Sequence, residues 1–235
     1  MGFADRLRAV RERIAEAAAR AGRDPDEVAV VAVAKTADAD ALREAWAAGH
    51  RRFGHNRVQP LEEHHAVLPE AEWHGIGPLQ GRKVRRALRL LSVLQTVGEE
   101  RTAERLERAL ADPEVPVQVV ERRLPVLLQV NLHPEDGRYG TPPERLEALA
   151  KRVAELPHLE ARGLMTLARA GADEAELRAT FAGLRELGEA LSDRGLLPTR
   201  PELSMGMSDD FPVAVEEGAT LVRIGRALFP PPPTP

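Results

Sequence analysis

The chain contains no cysteine, a single tyrosine, two tryptophans and only three lysines. Without cysteine there can be no disulfide, thiolate nucleophile, Fe–S cluster or Cys-ligated zinc. Oxygen, nitrogen and cofactor chemistry remain. Aromatics make up 3% of 235 residues, too few to build the stacking platforms that hold single-stranded nucleic acid. A formal charge of -4, with acids and arginines interspersed, gives no basic field for a phosphate backbone, so nucleic acid is not an expected partner. No stretch approaches the roughly 18 apolar residues of a membrane span, and no apolar core of a signal peptide is visible. The start, Met1-Gly2-Phe3-Ala4-Asp5-Arg6, misses the myristoylation pattern at its sixth position. These absences lead to the expectation of a cytoplasmic protein with no membrane partner.

What is present is a patterned chain. Residues 4–21 place Leu7, Val10, Ile14 and Ala17 at helical spacing, ending at Gly22 and the Asp24-Pro25 turn signal. Residues 28–34 read Val-Ala-Val-Val-Ala-Val-Ala, an apolar run typical of a strand buried on both faces of a parallel sheet. Helix and strand patterns then alternate. Helices are predicted over 38–48, 58–67, 82–90, 100–110, 143–155, 173–193 and 211–217, and strands over 52–54, 73–76, 93–96, 125–131, 161–166, 202–205 and 220–224. Eight strands in strict alternation, about 29 residues per unit, predict an α/β fold, a single (β/α)8 TIM-type barrel with an extra N-terminal helix. An open doubly wound sheet is the alternative, but the chain lacks a dinucleotide fingerprint. Gly75-Ile76-Gly77-Pro78-Leu79-Gln80-Gly81 has the wrong spacing for one. The barrel is expected over residues 1–229, with a proline-rich extended tail at 230–235 and the extra helix covering the place of a missing last helix.

In such barrels the site lies at the C-terminal ends of the strands. The polar residues there are Lys35-Thr36, His55-Asn56, Thr96, Asn131, Thr166, Ser204 to Asp209, and Arg223 to Arg226. Lys35 directly follows the apolar run, where a low-dielectric rim would favour the neutral, nucleophilic amine; the plainer reading is a lysine leaving the sheet for water. Lys83 and Lys151 sit among arginines on predicted helices and read as solvated. Ser204-Met205-Gly206-Met207-Ser208 ahead of a helix, with Arg223-Ile224-Gly225 after the eighth strand, resembles a phosphate cradle in composition and position, though Ser208-Asp209-Asp210 alone reads as a helix cap. His55, His64, His65 and His74 have no metal-ligand spacing, and no metal site is expected.

Lys35-Thr36, Phe53-Gly54-His55-Asn56-Arg57-Val58-Gln59, Trp73-His74-Gly75-Ile76-Gly77-Pro78-Leu79-Gln80, Gly163-Leu164-Met165, Leu203 to Asp210 and Val222-Arg223-Ile224-Gly225 together resemble the pyridoxal phosphate homeostasis protein family. The resemblance implies a barrel like the N-terminal domain of alanine racemase, holding pyridoxal 5'-phosphate as a Schiff base on Lys35. It also implies that Arg223 faces the pyridine nitrogen, that Ser204, Gly206, Met207, Ser208 and Gly225 bind or border the phosphate, and that Asn56 approaches the ring. An arginine there disfavours the protonated pyridinium and so weakens the electron sink that carbanion chemistry needs. Two motifs depart from the family: Gly-Glu-Asn-Tyr-Val-Gln-Glu appears as Gly54 to Pro60 with His55 and Arg57, and a lysine is replaced by Arg138.

The expected function is therefore intracellular pyridoxal phosphate homeostasis, meaning sequestration and delivery without robust turnover. Pyridoxal phosphate-dependent apoenzymes are the expected recipients, and a monomer or weak dimer is the expected state. An amino-acid racemase is the alternative, but it needs a second acid/base, usually a tyrosine from another domain, and Tyr139 is the one tyrosine here. A phosphosugar isomerase using the same mouth is a more distant one.

Overall fold

The computed structural model describes residues 1–230. Most of the expected proline-rich tail, from residue 231 on, lies outside them. Eight parallel strands close into a barrel in chain order: β1 (Ala29–Val33), β2 (Arg52–His55), β3 (Glu72–Gly75), β4 (Val93–Val97), β5 (Leu124–Gln129), β6 (Leu159–Met165), β7 (Glu202–Ser204) and β8 (Leu221–Ile224). Closure is made by β8 against β1, with Val31 opposite Arg223 and Ala32 opposite Ile224. An open sheet is thereby excluded.

The helices are α1 (Phe3–Arg20), α2 (Ala39–Ala47), α3 (Val58–Val67), α4 (Val84–Ala87), α5 (Glu100–Ala111), α6 (Pro143–Ala154), α7 (Glu174–Asp193) and α8 (Phe211–Glu216). Local chemistry starts them: the Asp38 carboxylate accepts from the Ala41 amide and Asp173 from the Glu176 amide, while a proline opens α6. Apolar side chains form two separate layers. The larger lies between helices and sheet. The smaller, Val31, Leu127, Met165 and Leu221 with Ala29 and Leu167 packed on it, fills part of the barrel interior.

The extra helix α1 packs where the N- and C-terminal segments meet. Phe3 is fully buried against Phe229, ring centroids 5.4 Å apart, and the Arg6 Nε donates to the Leu228 carbonyl at 2.7 Å. Arg13 lies over the Phe211 ring at 4.5 Å, bringing α1 onto α8. The helix thus braces the segment that carries the eighth strand's loop.

Two places differ from the sequence expectation. The helix foreseen over 82–90 is only a 3-10 turn and the single turn of α4, because the chain bends after Ala87 so that Leu88, Leu90 and Leu91 all bury. Between α5 and β5, Glu121 and Arg122 adopt left-handed conformations with φ of 51° and 57°. Such non-glycine backbone is costly. It is held by the Arg122 guanidinium, which donates to the carbonyls of Leu110 at 2.6 Å and Val115 at 3.1 Å and to that of Asp112.

Replacing Phe3 with alanine empties a fully buried aromatic site between both ends of the chain. The unfolding free energy from urea titration is expected to fall by about 3 kcal/mol.

Candidate functional site

The sequence-predicted residues converge on one side of the C-terminal mouth, because strands seven, eight, one and two are consecutive around the barrel. Lys35 follows β1 by two residues, Asn56 follows β2 directly, Gly206 to Ser208 follow β7, and Gly225 follows β8. Lys35 and Asn56 are both exposed. Of the two readings of Lys35 the structure agrees with the plainer one, a lysine leaving the sheet for water: the segment after Ala34 turns, with the Ala37 amide on the Ala34 carbonyl and the Thr36 hydroxyl donating to the Phe229 carbonyl at 3.1 Å. Its amine is open to solvent and to an incoming ligand.

Arg223 is the opposite case. It is 3% exposed, within β8, and its guanidinium donates to the Ser204 hydroxyl at 2.6 Å and the Thr166 carbonyl at 2.8 Å. Burial pushes its pKa down to about 10, opposed only by the charge of Asp210. It remains cationic at neutral pH. Ser204 is wholly buried and its hydroxyl donates to Gln95 Oε1 at 2.7 Å, so its polar capacity serves the barrel interior, behind the loop where a phosphate site was expected. Gln95 and the Thr166 carbonyl were not singled out as supports for Arg223. The available signal is the adjacent polar pair Gln95-Thr96 inside the otherwise apolar strand Val93–Val97.

The loop after β7 is shaped by close packing. Gly206 has φ +90°, and a Cβ there would stand 2.7 Å from the Ala214 Cβ and 2.9 Å from the Phe211 Cα. The Met207 amide donates to the Asp210 carboxylate, while the Met207 side chain is 41% exposed. Gly225 is different. A Cβ there meets nothing nearer than Val33 at 3.6 Å, an ordinary contact, and the backbone has no positive φ. Neither space nor backbone conformation requires glycine at this position. The amides of Ser208, Gly225 and Arg226 have no protein acceptor among the described residues. Free amides beside a cation are the chemistry of an anion site.

Tyr139 is committed to structure. Its hydroxyl donates to the Thr96 carbonyl at 3.3 Å, receives the Gly98 amide at 3.2 Å and lies 3.4 Å from the Thr102 hydroxyl, and burial raises its pKa. His55 faces away from the mouth, 3% exposed, its ring 5.1 Å from that of His64 and both nitrogens without partners. Burial, with His64 adding a little, lowers its pKa to about 4. Among the described residues no three His, Asp or Glu side chains are arranged to hold a metal, and no helix is long and apolar enough to cross a membrane.

A barrel with this mouth matches a known family model, described as alanine racemase, N-terminal domain, over residues 6–233. The chain belongs to that family. Within it, the nearer relatives are pyridoxal phosphate homeostasis proteins: the one from Pseudomonas aeruginosa is 44% identical over 97% of this chain and 94% of its own length. The structure of PipY from Synechococcus elongatus with PLP bound is 37% identical, covers 97% of this chain and 99% of its own, and superposes with a TM-score of 0.82. An alanine racemase from Clostridium difficile, 14% identical with a TM-score of 0.71, matches over 98% of this chain but 57% of its own, and shares the fold.

Two outcomes follow from this geometry. Gly206→Ala is expected to lower the melting temperature by several degrees, since both the backbone region and the space exclude a side chain. Buried His50, lowered to about 4 mainly by desolvation, acts with His55. Both take up protons in the unfolded chain near 6.5 but in the folded chain only near 4, so stability is full above pH 6.5 and falls as pH drops from there toward 4. Melting curves across that window should show the decline, and His55→Leu should flatten it.

Proposed function

We propose that the chain binds pyridoxal 5'-phosphate as a Schiff base on Lys35 and serves its homeostasis in the cytoplasm, holding and handing on the cofactor without robust turnover. The observation that carries this reading is the juxtaposition at one mouth of an exposed lysine, a buried arginine with no ion-pair partner among the described residues, and unbonded amides around Gly225. The Lys35 amine would condense with the aldehyde, releasing water. The Ser208, Gly225 and Arg226 amides, with Gly206 and Met207 shaping the loop, would hold the phosphate, and Asn56 would border the ring. Ser204 would act from behind, through Arg223. The names of the relatives, and PLP in the PipY structure, support the same ligand.

The cofactor supplies an electron sink when its ring nitrogen is protonated. Arg223 at that nitrogen donates a hydrogen bond but keeps its own protons, so it holds the ring without charging it. A racemase also needs a second acid/base at the mouth. Tyr139 is half-buried, and its hydroxyl is taken up by hydrogen bonds to the Thr96 carbonyl and the Gly98 amide. Holding and release to pyridoxal phosphate-dependent apoenzymes is the use that fits.

The purified protein incubated with pyridoxal 5'-phosphate is expected to show an imine absorbance band that Lys35→Ala lacks, and borohydride should fix the cofactor to Lys35 in a peptide map. A colourless wild type would overturn the reading. Racemisation of single-enantiomer amino acids, followed by chiral chromatography, would defeat the carrier function if turnover were robust. Gly225→Ala is expected to leave stability within about 0.5 kcal/mol of wild type while weakening cofactor binding at least tenfold; unchanged affinity would move the phosphate elsewhere.

A further inference from the structure

Behind Arg223 a chain of side-chain hydrogen bonds crosses the barrel from one mouth to the other. Arg223 Nη1 donates to Ser204 Oγ at 2.6 Å, and Ser204 donates to Gln95 Oε1 at 2.7 Å. Gln95 Nε2 lies 2.8 Å from His74 Nδ1, and His74 Nε2 lies 2.9 Å from Glu72 Oε1. Arg52 Nε reaches the other Glu72 oxygen at 3.2 Å. Arg52 and Glu72 begin β2 and β3, at the N-terminal mouth. Gln95 and Ser204 are wholly buried and His74 is 2% exposed.

Only one arrangement of hydrogens satisfies every member. Arg223 can only donate, and an ionised Glu72 can only accept. The carboxylate therefore takes a proton from His74 Nε2, leaving Nδ1 as an acceptor. Gln95 must point its amide nitrogen at Nδ1 and its oxygen at Ser204. With a neutral imidazole, turning Gln95 over would face its oxygen to an unprotonated Nδ1 and leave the Ser204 hydroxyl, then receiving from both Arg223 and Gln95, with no acceptor for its own proton. Each local choice is fixed by the next, from an anion at one mouth to a cation at the other, and such aligned bonds in a dry interior reinforce one another.

We propose that Gln95 and His74 are positioning residues for the cofactor site: anchored on Glu72, they fix the Ser204 hydroxyl and hence the place and direction of the Arg223 guanidinium. This rests on the reading above, in which Arg223 meets the pyridine ring. Of the two acceptors Arg223 uses, the Thr166 carbonyl is rigid backbone, so Ser204 is the one the relay sets. The ring-nitrogen contact is thus governed by residues that never reach the mouth.

Nitrogen-15 NMR of the cofactor-free protein tests the relay directly. His74 is expected as the Nε2–H tautomer, and the Nδ1–H form or an exchanging mixture overturns the proposal. With pyridoxal 5'-phosphate as probe, Gln95→Leu and His74→Leu should each shift the imine absorbance maximum and weaken affinity about fivefold, the worth of one buried hydrogen bond. His74→Asn, whose amide oxygen can sit near the place of Nδ1, should restore the wild-type band. If the leucine variants do not fold, the isosteric Gln95→Glu serves, since its carboxylate accepts from Ser204 but cannot donate to Nδ1. It should move both the His74 nitrogen shifts and the band. A wild type that binds through Lys35 while Gln95→Leu matches its spectrum and affinity overturns the relay alone. A wild type that takes up no cofactor overturns the earlier reading and this one with it.

Discussion

The burial of one cation organises the barrel interior. An isolated charge cannot leave water without large cost, and among the described residues no carboxylate lies within ion-pair distance of Arg223. Its hydrogen bonds to Ser204 and Thr166 compensate in part, and they account for a polar half of the interior standing against the apolar half of Val31, Leu127, Met165 and Leu221. The remaining positive potential sits just beneath the mouth. An anionic, electron-rich ligand is what such a floor attracts.

Much of this is legible in the amino-acid sequence. The seven-residue Val/Ala run reads as a strand buried on both faces, and the alternation of strands with helices limits the fold to a barrel or an open sheet. The glycine and serine loop, followed at short distance by Arg223-Ile224-Gly225, marked the mouth of strands seven and eight. Other features were hidden for physical reasons. A strand end says where a lysine leaves the sheet but not which way the next turn carries it, so the sequence left both a desolvated and a solvated Lys35 open. Ser204 and Ser208 look alike in sequence, yet one residue is the last of β7, facing inward, and the other lies in the loop. His74 was weighed only as a metal ligand, because its partners Gln95 and Glu72 come from other positions in the chain. The left-handed pair Glu121 and Arg122 carries no glycine to announce it.

The arginine-rich surface has a local purpose too. Exposed ion pairs contribute little singly, but Arg178 on α7 meets Glu174 on its own helix and Glu216 and Glu217 at the end of α8, and Arg20 of α1 also meets Glu216. These contacts clamp the short helix whose first turn packs on Gly206. A six-residue helix has little stability of its own, so the loop it supports depends on its neighbours.

The seam where β8 meets β1 joins the two ends of the chain, setting Val31 beside Arg223. Lys35 is far in sequence from Arg223 and Gly225, and closing so long a loop is the slow, entropically costly part of building the barrel. The mouth is assembled only once β8 has paired with β1. A ligand that spans this seam binds only the closed form, so its free concentration adds directly to the stability of the joint. Removing such a ligand would loosen the molecule first at the pairing of β1 with β8.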